Sequence, residues 1–271
     1  MLGAMQIRRR KTPDGRYRFD RELGDDRWIG RALATKESVL LSELTHTDFS
    51  PDELYARYNY AVDGIAPIRA VIAIVRNSRT PHGAILVEAM PEGKPLYRSP
   101  VPPARRTAVA LELARTTERL LDAGIAMPGL RPDLIIVGDR VMLVPRSESF
   151  LRHTSKRMRV IREYWSFDHG LDGLYDPYAP HGTTDTLIFQ LGLAIAWIWT
   201  QRHPYADALA RSEHHSFEQL LFDGLRHDPW PGPPEIDELL GAIFRYRIED
   251  RPGIDVVLGV LERVLVTETT I

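Results

Sequence analysis

Cysteine is missing from all 271 residues. Its absence excludes a disulfide framework, a thiolate nucleophile and any Cys-ligated metal centre. It fits a reducing compartment, and the chain reads as soluble and cytoplasmic. A surplus of charge is missing as well. The 35 Lys and Arg against 37 Asp and Glu leave a net charge of -2 and a pI near 6.5. Nucleic-acid binders carry a strong basic excess, so no nucleic-acid partner is expected. Long apolar runs are also lacking. The best candidate, Leu187 to Thr200, is 14 residues long, shorter than the roughly 20 that a bilayer crossing needs. It reads as a fully buried core helix, and no membrane partner is expected. The opening MLGAMQIRRRK has too short an apolar stretch, in the wrong order, for a secretory signal.

What remains is ordinary globular material, 44% hydrophobic and 27% charged, enough for one large or two small domains. β-formers cluster between turn signals at Tyr17 to Phe19, Trp28 to Ala34, Val39 to Leu44, Ala70 to Arg76 and Ala84 to Ala89. One helix is predicted among them, Ser50 to Val62, with Ser50 as N-cap, Pro51 at the first position and Asp52-Glu53 favouring the positive helix end. Pro91 to Pro103 holds five prolines in 13 residues, so it can form neither a regular helix nor a central strand. Beyond it the pattern turns helical, over Ala104 to Ala123 with Gly124 as C-cap, Ile236 to Tyr246 and Ile254 to Val266.

Gly124 to Ser147 reads GIAMPGLRPDLIIVGDRVMLVPRS. Leu130, Arg131, Pro132 and the strand Ile135-Ile136-Val137 keep the frame of a kinase catalytic loop and the hairpin that follows it. Val87 to Gly93 resembles the fifth strand and hinge, and Tyr178-Ala179-Pro180-His181 the end of the activation segment. Phe189-Gln190-Leu191-Gly192 with Arg202 to Tyr205, and Asp250-Arg251-Pro252, are similar to the later C-lobe signatures. On these residues the chain, from about Leu23 to Val264, resembles the protein kinase-like superfamily, and within it a bacterial-type Ser/Thr pseudokinase domain. The resemblance implies an α+β, two-lobed fold: a small antiparallel β-sheet N-lobe with one helix, and a mainly helical C-lobe. It divides the chain into an extension over 1–20, an N-lobe over 21–90, a connection over 91–103 and a C-lobe over 104–271.

Phosphoryl transfer needs metal ions, a lysine on the phosphates and a carboxylate that positions the hydroxyl. The resemblance places Ser42 where that lysine would stand, Gly129 at the catalytic Asp, and Leu134 and Pro145 at the two magnesium ligands. The histidine and arginine before the catalytic Asp become Met127 and Pro128, and Asp26 replaces the second glycine of the phosphate loop. The expectation is therefore no phosphotransfer, no cofactor and no metal. Arg251 loses its usual partner, because His181 replaces the glutamate of the family. Leu187 stands where an aspartate normally ties down the catalytic loop, so Leu134, Met127 and Leu187 are expected to hold it by packing.

Other constellations carry bland readings. Lys36 reads as a solvated hairpin charge, Glu213-His214-His215 as surface residues, and Trp197 and Trp199 as core fillers. The tail from Val266 to Ile271 reads as a frayed end, with its acid-flanked threonines a second possible docking piece for a phosphothreonine-reading domain. Arg152, Lys156, Arg157, Arg159 and Arg162 gather without an acid among them until Glu163. Such runs are ordinarily solvated, yet a local positive field can select a protein partner with an acidic surface. These five are the partner-binding candidates, with Thr154 and Ser155 beside them as candidate phosphate acceptors.

Three functions stay open on the sequence. One is a catalytically inactive scaffold or regulator that binds a protein. The second is a kinase-fold enzyme with non-standard group transfer, drawing on Asp26, Glu88, Asp133 or Asp139. The third is a small-ligand sensor in the former nucleotide cleft, lined by Val87, Met90, Leu134 and Val144, with Glu88 a further lining candidate.

Overall fold

The computed structural model describes residues 11–24, 27–45, 50–58, 62–75, 81–96, 99–123, 130, 132, 134–144, 184–202, 204–207, 224 and 226–270. The fold is mixed α+β, and the chain divides into two compact units. The first comprises Met1–Ala61, Ile65–Pro91 and Val144–Ser147; the second comprises Val62–Gly64, Glu92–Leu143 and Glu148–Ile271.

The first unit is built on a five-stranded antiparallel sheet: β1 (Tyr17–Gly24), β2 (Arg27–Ala32), β3 (Ser38–Thr45), β4 (Ile68–Val75) and β5 (Pro81–Ala89). Its spatial order is β1-β2-β3-β5-β4. Side chains alternate across a strand, and here the alternation sorts them sharply. Val39, Leu41, Ile72, Ile85 and Val87 form a buried cluster, with Tyr17, Phe19, Trp28, Ala70 and Ile74 packed against it. Phe19 and Trp28 meet edge to face with ring centroids 5.4 Å apart. β1 begins at Tyr17, so pairing with β2 takes in residues that the sequence reading assigned to an N-terminal extension. The sequence marks Tyr17 to Phe19 as β-forming, and the strand runs on through Asp20, Arg21 and Glu22, whose charges hide its continuation from a hydrophobicity pattern.

The helix α1 (Pro51–Tyr58) lies in sequence between β3 and β4 and packs on β4. Its start is a reciprocal capping box. The Ser50 amide donates to Glu53 Oε2 at 2.8 Å, and the Glu53 amide donates back to Ser50 Oγ at 3.3 Å.

The second unit holds α2 (Arg106–Asp122), the hairpin β7 (Ile135–Val137) and β8 (Val141–Leu143), and then α3 (Thr184–Thr200), α4 (Pro234–Ile243) and α5 (Ile254–Thr270). The proline-rich stretch includes β6, the two residues Lys94–Pro95, at the edge of the β6-β7-β8 sheet. An edge is where proline, which has no N–H to donate, is tolerated in a sheet. Helix α3 is buried from Leu187 through Trp199, as its unbroken apolar run requires. Among the described residues no helix is long and apolar enough to cross a membrane.

Helix α5 runs to Thr270, which corrects the reading of the tail as frayed. The hydroxyls of Thr267, Thr269 and Thr270 donate to the carbonyls of Arg263, Leu265 and Val266, four residues earlier. The polar tail is thus tied to its own helix. Arg251 engages backbone and ring. It donates to Arg245 O at 2.9 Å and Tyr246 O at 3.3 Å, and its guanidinium lies 4.7 Å from the Phe189 ring centroid.

Gly192 sets how closely α3 meets α4: a Cβ there would lie 2.5 Å from Ile243 Cγ2. Gly192→Ala is expected to lose about 1–3 kcal/mol to overpacking, against a helix-propensity gain of about 1 kcal/mol. With Ile243→Ala added, urea melts should show a combined loss smaller than the sum of the single losses, because the colliding methyl is gone. Additive losses would contradict the close approach.

Candidate functional site

β3 runs antiparallel to β5 with Leu40 opposite Glu88 and Ser42 opposite Leu86. On its other side, β3 places Ser42 opposite Arg27 of β2 and Leu40 opposite Ile29. Ile68 of β4 stands opposite Glu88. Period-2 alternation therefore gathers Arg27, Ser42 and Glu88 on the sheet face opposite the Val39–Leu41–Val87 cluster.

Ser42 Oγ donates to Glu88 Oε2 at 3.1 Å, across 46 residues of sequence. Ser42 is 2% exposed and Glu88 is 0% exposed. Glu88 Oε1 accepts no hydrogen bond among the described residues. Burial pushes the Glu88 carboxyl up to about 7, against opposing pulls from the Arg27 guanidinium and the Ser42 hydroxyl. An ionised carboxylate without its full complement of donors is costly away from water. The site therefore favours the neutral acid.

The pair joins two residues that the sequence reading singled out for different reasons, Ser42 as a degenerate lysine position and Glu88 as a lining candidate. Arg27 carried no role in that reading; only the β2–β3 register reveals it as the charge beside Ser42. Val87 requires a correction. It is 0% exposed within the core cluster, and as a strand neighbour of Glu88 it projects to the opposite face. Val87 and Glu88 cannot line one surface together. Met90 follows the end of β5 and is half-buried, and Val144 is buried in the same unit. Leu134 is buried at the foot of β7 in the second unit, and Leu187 is buried in α3.

Lys36 adopts a left-handed backbone (φ 64°) and its Nζ donates to Leu33 O at 2.9 Å, so it closes a hairpin. Asp139 is exposed. Gly129, Pro145, Asp26, Asp133, Met127, Pro128, His181, His214, His215, Thr154, Ser155 and the five residues Arg152, Lys156, Arg157, Arg159 and Arg162 lie outside the described residues. Among the described residues no three His, Asp or Glu side chains converge as metal ligands would.

A second constellation escaped sequence reading. The segment Val62–Gly64 belongs to the second unit although its chain neighbours on both sides belong to the first. Arg140 grips the Asp63 carboxylate at 2.8 and 2.9 Å, and Arg119 donates to Asp63 O at 3.1 Å. The Leu143 amide donates to Gly64 O at 2.7 Å. The Arg140 hydrogen bond holds the Asp63 carboxyl below its ordinary range. Gly64 has φ 94°, and a Cβ there would collide with Thr116 of α2. Helix α2, the hairpin and this short segment thus form one fastening.

No protein-family model matches the chain, and no curated protein matches it.

Gly64→Ala combines left-handed strain with the Thr116 collision and should cost about 1–3 kcal/mol of stability in chemical denaturation. A loss below about 0.5 kcal/mol, the range of neutral surface substitutions, would remove the fastening from the account.

Proposed function

We propose that the chain is a pseudokinase: a kinase-like scaffold that transfers no phosphate and acts by binding another protein. The observation that carries this reading is the Ser42–Glu88 pair. Where the family's third strand would present a lysine to the phosphates, this sheet presents a hydroxyl engaged by a buried carboxyl. A triphosphate brought to that face would find no ammonium at Ser42, and the Arg27 guanidinium beside it already faces the buried Glu88 carboxyl; charge stabilisation is what phosphoryl transfer most requires.

The kinase-like architecture has three structural supports. The order β1-β2-β3-β5-β4, with one helix between β3 and β4, is the plan such an N-lobe requires. Helix α2 precedes the β7–β8 hairpin, as the helix before a catalytic loop would. Within the second unit, Asp63 and Gly64 bond to α2 and the β7–β8 hairpin. Partner recognition falls to Arg152, Lys156, Arg157, Arg159 and Arg162, whose unbalanced charge suits an acidic protein surface.

One observation favours a second reading, an enzyme of another kind. A carboxyl raised to about 7 is tuned where a general acid or base works best. Burial argues against it, since Glu88 has no exposure through which to reach a substrate.

Calorimetric titration with ATP and magnesium tests the first reading. The expected outcome is no metal-dependent binding, with any Kd weaker than about 1 mM, an affinity worth only about 4 kcal/mol. Magnesium-dependent binding in the micromolar range would overturn it. Ser42→Lys alone should not create such binding, because the metal ligands would still be missing.

A further inference from the structure

Glu88 lies at the end of β5, four residues before Glu92 opens the main part of the second unit. Its carboxyl has no solvent exposure, one hydrogen bond and one oxygen without a partner among the described residues. Every neighbouring strand contributes to its surroundings. Arg27 faces it from β2, Ser42 and Leu40 from β3, and Ile68 from β4. The nearby Arg69 of β4 is exposed and engaged with Glu37. A neutral carboxylic acid leaves water at far smaller cost than a carboxylate. A carboxylate needs several donors, and among the described residues it has the Ser42 hydroxyl and the charge of Arg27.

We propose that the buried Glu88 carboxyl is a proton-controlled latch on the end of β5, closed when it is neutral and released when it ionises, with the Ser42 hydroxyl opposing the release in part. The latch stands on the sheet geometry and does not depend on the pseudokinase reading. The direction follows from linkage. An acid whose folded pKa lies above its unfolded value binds more protons in the folded state between the two. Here that window runs from the model-compound value of 4.5 to about 7. The β5 end is held most tightly below the window, loosens as pH rises through it and changes no further above it.

Hydrogen–deuterium exchange on the full chain, corrected for intrinsic rates, reads this in the peptide spanning 84–90. Protection should fall by about tenfold per pH unit between roughly pH 5 and 7 and level off above. In Glu88→Gln the dependence should vanish. A wild-type profile that is flat, or that Glu88→Gln reproduces, overturns the latch. Ser42→Ala gives a readout that does not need the Gln variant to fold. Loss of the hydroxyl that favours the ionised form should move the levelling-off point to higher pH. An unmoved point contradicts the role of Ser42.

Discussion

Pairing of β3 with β5, in register from Val39 opposite Ala89 to Thr45 opposite Gly83, decides which side chains share each face of the sheet. A slip of β5 by one residue would turn its side chains over. Val87 would leave the cluster it now fills with Val39, Leu41, Ile72 and Ile85, and Glu88 would enter it. The apolar face thus pins the register, and the register forces the polar pair together. A hydrogen bond inside a protein is worth roughly 1 kcal/mol net, far less than burial of five aliphatic side chains at about 1.5–3 kcal/mol each. The Ser42–Glu88 bond is therefore a consequence of the fold and not its cause. Its interest lies in the chemistry it permits and forbids.

The fastening at Asp63 obeys a different balance. Asp63 and Arg140 are both more than half exposed, and exposed ion pairs contribute about 0–1 kcal/mol. The backbone bonds to Asp63 O and Gly64 O, and the close approach to Thr116, hold the segment more firmly than its charges do. One guanidinium nitrogen, Arg140 Nη2, donates to both Asp63 carboxylate oxygens, beside the glycine that approaches α2.

Much of the secondary structure was legible in the sequence because it is written locally. The capping box at Ser50 and Glu53, the alternation in β3 and β5, and the apolar run of α3 each lie within a few residues. The misses have a common cause. β1 extends through Asp20, Arg21 and Glu22 because its partner β2 supplies the ladder. Helix α5 extends through threonines because their hydroxyls find carbonyls one turn back. The polar pair depends on contact across 46 residues, and the Asp63 fastening on three separate elements. Neither can be read from spacing. Val87 and Glu88 fall together in the resemblance to a fifth strand and hinge, and strand alternation sends their side chains to opposite faces.

The central proposal is chemical: Ser42 and the buried Glu88 stand where a kinase-like sheet would carry its lysine, and on that reading the chain transfers no phosphate. Incubation of the full chain with ATP labelled in the γ-phosphate, with magnesium or manganese and both protein and small-molecule acceptors, measures this directly. The account predicts no label on any acceptor or on the chain itself beyond that of a heat-denatured control. Label that accumulates with time and disappears in Glu88→Gln or Arg27→Gln protein shown to be folded would contradict it.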